Sequence, residues 1–88
     1  MLKLNPLASN MTEIEVGAYS ILFSYKTPVA GHSPVLGHFK TSTKYSPTTT
    51  RHINKYFANE WDIVGSTVKE VDQFTIDKMV NIYSLDWS

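Results

Sequence analysis

The sequence predicts an α+β domain: a small antiparallel β-meander with one helix packed on it and a second, C-terminal helix. Three observations lead there. Between Thr12 and Thr41, apolar and polar residues alternate in short runs, the period of half-buried strands. Ser46-Pro47 then opens a stretch in which Ile53, Tyr56 and Phe57 recur at i, i+3 and i+4, an apolar helical stripe. After Asp72, the residues Ile76, Met79, Val80 and Tyr83 repeat that spacing, with the aspartate as a cap.

Taken in order, residues 1–11 lack periodicity and read as a loosely ordered arm, leaving 12–88 as a single α+β domain. Ile14 and Val16 point to one side of the first strand and Glu13 and Glu15 to the other, toward solvent. Gly17-Ala18 suits a tight turn, because glycine supplies the positive φ that hairpins favour. Tyr19, Ile21, Phe23 and Tyr25 form one face of the next strand, with Ser20, Leu22 and Ser24 on the other. Pro28 has no N–H to donate, which predicts a sheet edge or a bend at 26–30. Gly31-His32-Ser33-Pro34 reads as a turn, and Val35 to Thr41 as the returning strand.

Ser46 can cap a helix over 46–58, and Pro47 fits its first position. Trp61, Ile63 and Val64 form an apolar cluster before Gly65, Ser66 to Val71 suits a short strand, and the second helix covers about 72–82. The tail with Trp87 is left unassigned.

The 88 residues make one domain with a modest core, since a chain this short buries only about 60–65% of its unfolded surface. No cysteine is present, which removes disulfides and thiolate metal sites from consideration. No apolar run approaches the ~18–20 residues of a membrane span. The start lacks the long apolar core of a signal peptide. The expected location is the cytoplasm, with no membrane partner.

Net charge is zero but unevenly spread. Val16 to Asn59 contains no Asp or Glu and holds Lys26, Lys40, Lys44, Arg51 and Lys55, a balance of +5. From Glu60 to Ser88, six acids stand against Lys69 and Lys78, a balance of −4. Such a chain can attract an anionic partner while neutral overall.

Catalysis is the weakest reading, and no catalytic residue is expected. No acid adjoins a histidine in sequence, and the pairing of Ser46 with His52 competes with the capping role of Ser46. His32, His38 and His52 match no metal-ligand spacing. The expectation is three histidines that never meet, with no metal and no cofactor.

Anion binding has the strongest physical case. A helix start offers free N–H groups and the positive end of a dipole. Here Lys40 and Lys44 precede it and Arg51 and Lys55 follow, with hydroxyls at Ser46 and Thr48 suited to phosphate oxygens. Tyr45 and Tyr56 lie beside these basic residues, where aromatics can stack on unpaired bases, although Tyr56 also fits the core. Lys26 extends the surface to the sheet. An acidic protein partner would suit the same residues.

Two segments, Leu22 to Ala30 and Lys40 to Lys55, resemble an uncharacterised domain of small tailed-bacteriophage proteins; the resemblance covers about residues 12–82. It implies a phage origin, action in the host bacterial cytoplasm, and either of two roles. One is handling nucleic acid; the other is binding and blocking a host protein, such as a CRISPR or restriction component. No activity or site residue carries over from it. Self-association or a place in a phage assembly would need exposed apolar surface, with Leu36, Trp61 and Trp87 the residues to watch.

Overall fold

Four reversals of the chain, each with one residue at positive φ, set the architecture. They use Asn10 (φ 60°), Gly17 (φ 60°), Tyr25 (φ 57°) and Gly37 (φ 70°). Glycine and asparagine reach this left-handed region cheaply, whereas a tyrosine there costs about 1–2 kcal/mol. The reversals join strands β1 (Leu2–Ala8), β2 (Met11–Val16), β3 (Tyr19–Ser24), β4 (Thr27–Ser33) and β5 (Gly37–Thr41). Helix α1 (Pro47–Glu60) follows, then β6 (Lys69–Val71) and helix α2 (Gln73–Ser84). The computed structural model describes residues 2–64 and 67–84. Gly65, Ser66, the tail with Trp87 and the side chain of Tyr83 lie outside the described residues.

The six strands form one sheet in sequence order. The first five pair antiparallel, and β6 returns parallel to β5 after crossing over through α1. The α+β meander is therefore present, with a parallel edge strand added. Residues 2–8, read from sequence as part of a loose arm, instead form β1, paired with β2 from Leu2↔Val16 to Ala8↔Met11. Polar alternation is weak there because an edge strand is held mainly by its backbone ladder.

Helices cover both faces. Under α1 lie Met11, Leu22, Val29 and Ala30 with Ile53, Tyr56 and Phe57, joined by Val68. On the opposite face Ile21 and Phe39 pack with Ile76 of α2, flanked by Phe23, Leu36, Met79 and Val80. Burying each of the large side chains contributes about 1.5–3 kcal/mol.

Two-sided cover explains where the sequence reading misassigned residues. Glu13, expected to face solvent, is buried beneath α1, where the Tyr56 hydroxyl donates to its Oε2 at 2.7 Å. Asn5 Nδ2 donates to its other oxygen at 3.0 Å. Gly31, His32 and Ser33, read as a turn, belong to β4, and the turn falls at 34–36. A Cβ on Gly31 would lie 2.1 Å from the Ser20 carbonyl oxygen and 2.9 Å from Phe39 Cζ. Its glycine serves close packing within a strand. Pro28 lies in β4, inside the sheet and not at its edge. The ladder shifts register between Leu22 and Phe23 just opposite, so the missing N–H falls at an irregularity. Gln73 of α2 donates to the Pro28 carbonyl at 2.8 Å, tying the second helix to the same point.

Both predicted caps are present. Ser46 Oγ accepts the Thr49 N–H at 3.2 Å, and Asp72 Oδ1 accepts the Thr75 N–H at 2.8 Å. The Thr75 hydroxyl and then its N–H hold the Asp72 carboxyl below the ordinary aspartate range. At the other end of α1, Asp62 takes a left-handed φ of 54° and Ile63 N–H folds back to the Phe57 carbonyl at 3.0 Å. Leu36 and Trp61, watched as exposed apolar candidates, are partly buried against the two cores.

Candidate nucleic-acid interface

The first turn of α1 is fastened to the sheet by a chain of hydroxyls. Ser46 Oγ lies 3.4 Å from Thr49 Oγ1, which lies 3.2 Å from Ser24 Oγ, which in turn lies 2.8 Å from His52 Nδ1. Ser24 and Thr49 are buried, and in a dry setting such mutually satisfied polar groups fix one geometry. The relay ties the turn after β3 to the start of α1. Ser24 and His52 are thus in contact, with Ser24 only 2% exposed beneath the helix. Ser46 is engaged as the cap and does not meet His52.

The turn beyond Ser24 carries Tyr25 and Lys26. Tyr25 N–H donates to the Asn10 carbonyl at 2.7 Å, which anchors the left-handed backbone. Its ring sits 5.9 Å from that of His52, tilted by 45°, and the residue remains 54% exposed.

On the other flank of α1, the segment after β5 is pinned by Ser42 N–H to the Val71 carbonyl at 2.7 Å and Thr43 N–H to Thr41 Oγ1 at 3.1 Å. Between this segment and α1 lies a small open cleft of about 120 Å³, lined by Lys40, Lys44, Ser42, Thr43, Asn54 and Glu70 among others. Two ammonium groups, hydroxyls and an amide in one concavity suit an oxyanion. Glu70, opposite Lys40 in the β5–β6 register, offsets part of the charge.

The predicted site residues are therefore distributed around the N-terminal half of α1. Lys40 and Lys44 both line the cleft. Arg51 is exposed on the outer face of the helix and donates from Nη2 to Thr48 Oγ1 at 3.2 Å. Lys55 is exposed one turn further on and does not line the cleft; Lys26 stands at the opposite flank, beside Tyr25. Among the described residues the only ion pair is Lys3 with Glu15 at 3.9 Å, on β1 and β2. The helix start itself contributes less than expected. Pro47 has no N–H, and the Thr49 N–H is taken by Ser46, so the positive charge comes from side chains.

Of the aromatics, Tyr56 takes the core place its helical spacing gave it, and Tyr25 changes assignment. Tyr56 is fully buried and bonded to Glu13; burial first, and then that bond, push its phenol well above the usual tyrosine range. It presents no face to a ligand. Tyr25, which the alternation pattern counted as a strand residue, is exposed in the turn after β3, and Tyr45 is exposed as well. The signal available was its position between two strand patterns and before Lys26, where hairpin turns fall.

The histidines also differ from expectation. His32 and His38 do meet, as a cross-strand pair with rings 4.6 Å apart. Trp61 stacks on His32 at 5.0 Å and stands edge-on to His38 at 4.6 Å. Burial, and then the neighbouring His32, hold His38 below the ordinary imidazole pKa. His52 stays apart on α1. Among the described residues, no three His, Cys, Asp or Glu side chains come together as a metal-binding group. Nor, among them, is any helix long and apolar enough to cross a membrane.

Neither a curated protein nor a solved structure matches the chain. One family model matches residues 2–78, which takes in all six strands, α1 and the first half of α2. The chain belongs to that family, a family of unknown function (DUF8033).

Proposed function

We propose that this protein is a non-enzymatic binding module that contacts nucleic acid through the surface around the N-terminal half of α1. The carrying observation is the cleft that places Lys40 and Lys44 together with hydroxyl and amide groups. Arg51 and Lys55 continue the positive surface along the helix, and Lys26 continues it past the far flank. Side chains of this kind position phosphates without reading sequence. The sequence resemblance to small phage proteins supports this role and, equally, the blocking of a host protein.

The test is direct titration of fluorescent DNA and RNA oligonucleotides at low salt, with wild type and with Lys40→Gln/Lys44→Gln. Binding that the double substitution weakens supports the proposal. Absence of binding at low salt, or binding indifferent to the substitution, refutes it.

A second reading, inhibition of a host defence protein by direct contact, draws on a different region. Phe74 at the start of α2 is 73% exposed and Val64 is 66% exposed, in the acidic third of the chain. In that case a host nuclease or effector would be captured from nuclease-treated lysate by wild type and lost with Phe74→Ser, while Lys40→Gln/Lys44→Gln would retain it.

A further inference from the structure

Tyr25 and Tyr45 stand out among the residues that the basic surface does not itself require. Most hairpin positions with a left-handed backbone are filled by glycine or asparagine, yet here the position holds a tyrosine whose ring is not absorbed by either core. The ring lies 5.9 Å from that of His52, and the residue is 54% exposed. Tyr45, 44% exposed, immediately precedes the cap Ser46. The relay from Ser46 through Thr49 to Ser24 holds one sequence neighbour of each tyrosine within two hydrogen bonds of the other, across the first turn of α1. Each ring is followed or preceded by a lysine, Lys26 after Tyr25 and Lys44 before Tyr45, and the whole segment from Val16 to Asn59 is free of acid. A duplex offers a protein base edges and phosphates, and has no use for an exposed aromatic face. Unpaired bases stack on such faces irrespective of sequence, next to basic residues that track the backbone.

We propose that the surface takes single-stranded nucleic acid, with unpaired bases stacking on Tyr25 and Tyr45 while Lys26 and Lys44 hold the adjoining phosphates. This rests on the nucleic-acid reading above and narrows it to one class of ligand. Base stacking then supplies a contribution that charge alone does not.

The experiment is fluorescence anisotropy with three probes of equal length: oligothymidylate, the same backbone made abasic, and a duplex. Each is titrated with wild type, Tyr25→Phe and Tyr25→Asn. Asparagine tolerates the left-handed backbone, and a thermal melt confirms that both variants are folded. The expected result is tightest binding to oligothymidylate, about tenfold loss on that probe with Tyr25→Asn, retention with Tyr25→Phe, and no effect of either on the abasic strand. Equal affinity for oligothymidylate and the abasic strand overturns stacking while leaving the phosphate-contact reading in place. Duplex bound as tightly as single strand overturns it as well. If no probe binds at low salt, both readings fall together.

Discussion

The two faces of the sheet are built differently. Against α2 the interface is mainly apolar, Ile21, Phe39 and Ile76 ringed by Phe23, Leu36, Val71, Met79 and Val80, with the bond from Gln73 to the Pro28 carbonyl at its start. Against α1 the apolar cluster is interleaved with buried, hydrogen-bonded polar groups, Glu13 under Tyr56 and Ser24 under Thr49. Apolar packing stabilises but tolerates re-arrangement, whereas satisfied buried polar groups select one geometry. The face that carries Tyr25, Lys26, Arg51 and the Lys40–Lys44 cleft is the one fixed by directional bonds. One side of the sheet holds the molecule together, and the other aims its surface.

Breaking the apolar side has the largest expected effect. Phe39→Ala removes a fully buried ring that packs over Gly31 and lowers unfolding free energy by about 3–5 kcal/mol. Chemical denaturation measures it, and oligonucleotide affinity of the fraction still folded stays unchanged.

On the polar side, Tyr56→Phe keeps the ring and deletes one hydroxyl. Glu13 keeps its bond from Asn5 but loses the one from the helix, at a cost of about 1–3 kcal/mol for a buried acceptor left short. Denaturant unfolding of this variant beside Phe39→Ala compares one atom on the polar side with a whole ring on the other.

The smallest effect is a pH dependence from His38. Its pKa is lowered in the fold from 6.5, so the unfolded chain binds more protons below that pH and stability rises with pH. The contribution is full above about 6.5 and lost as pH falls through the lower folded pKa. Unfolding curves at stepped pH values show this slope in wild type, and it is reduced in His38→Gln.

Much of this arrangement was legible in the sequence. Ser46-Pro47 and Asp72 mark both helix starts because capping is local chemistry, and Ile53, Tyr56 and Phe57 mark the buried stripe because helical spacing is local too. What escaped depends on partners distant in sequence. Glu13 looks solvent-facing until α1, 43 residues on at Tyr56, closes over it. Gly31 looks like a turn until Phe39 is laid across it. His32 and His38 pair only once β4 and β5 are in register. For the site, Lys40 and Lys44 were recognisable from charge and proximity to the helix start. Their separation from Lys26 by the width of α1 was not, and neither was the exposure of Tyr25.

If the α1 side of the molecule, and not the α2 side, meets nucleic acid through its cations, the salt dependence of oligonucleotide affinity will separate Lys44→Gln in the cleft from Lys78→Gln on α2. Each substitution removes one positive charge, so net charge is matched. The expected result is a steep fall of affinity with salt, a log–log slope shallower by about 0.7–1 for Lys44→Gln, and a wild-type slope for Lys78→Gln. Equal slopes for the two variants, or affinity that does not respond to salt, would contradict it.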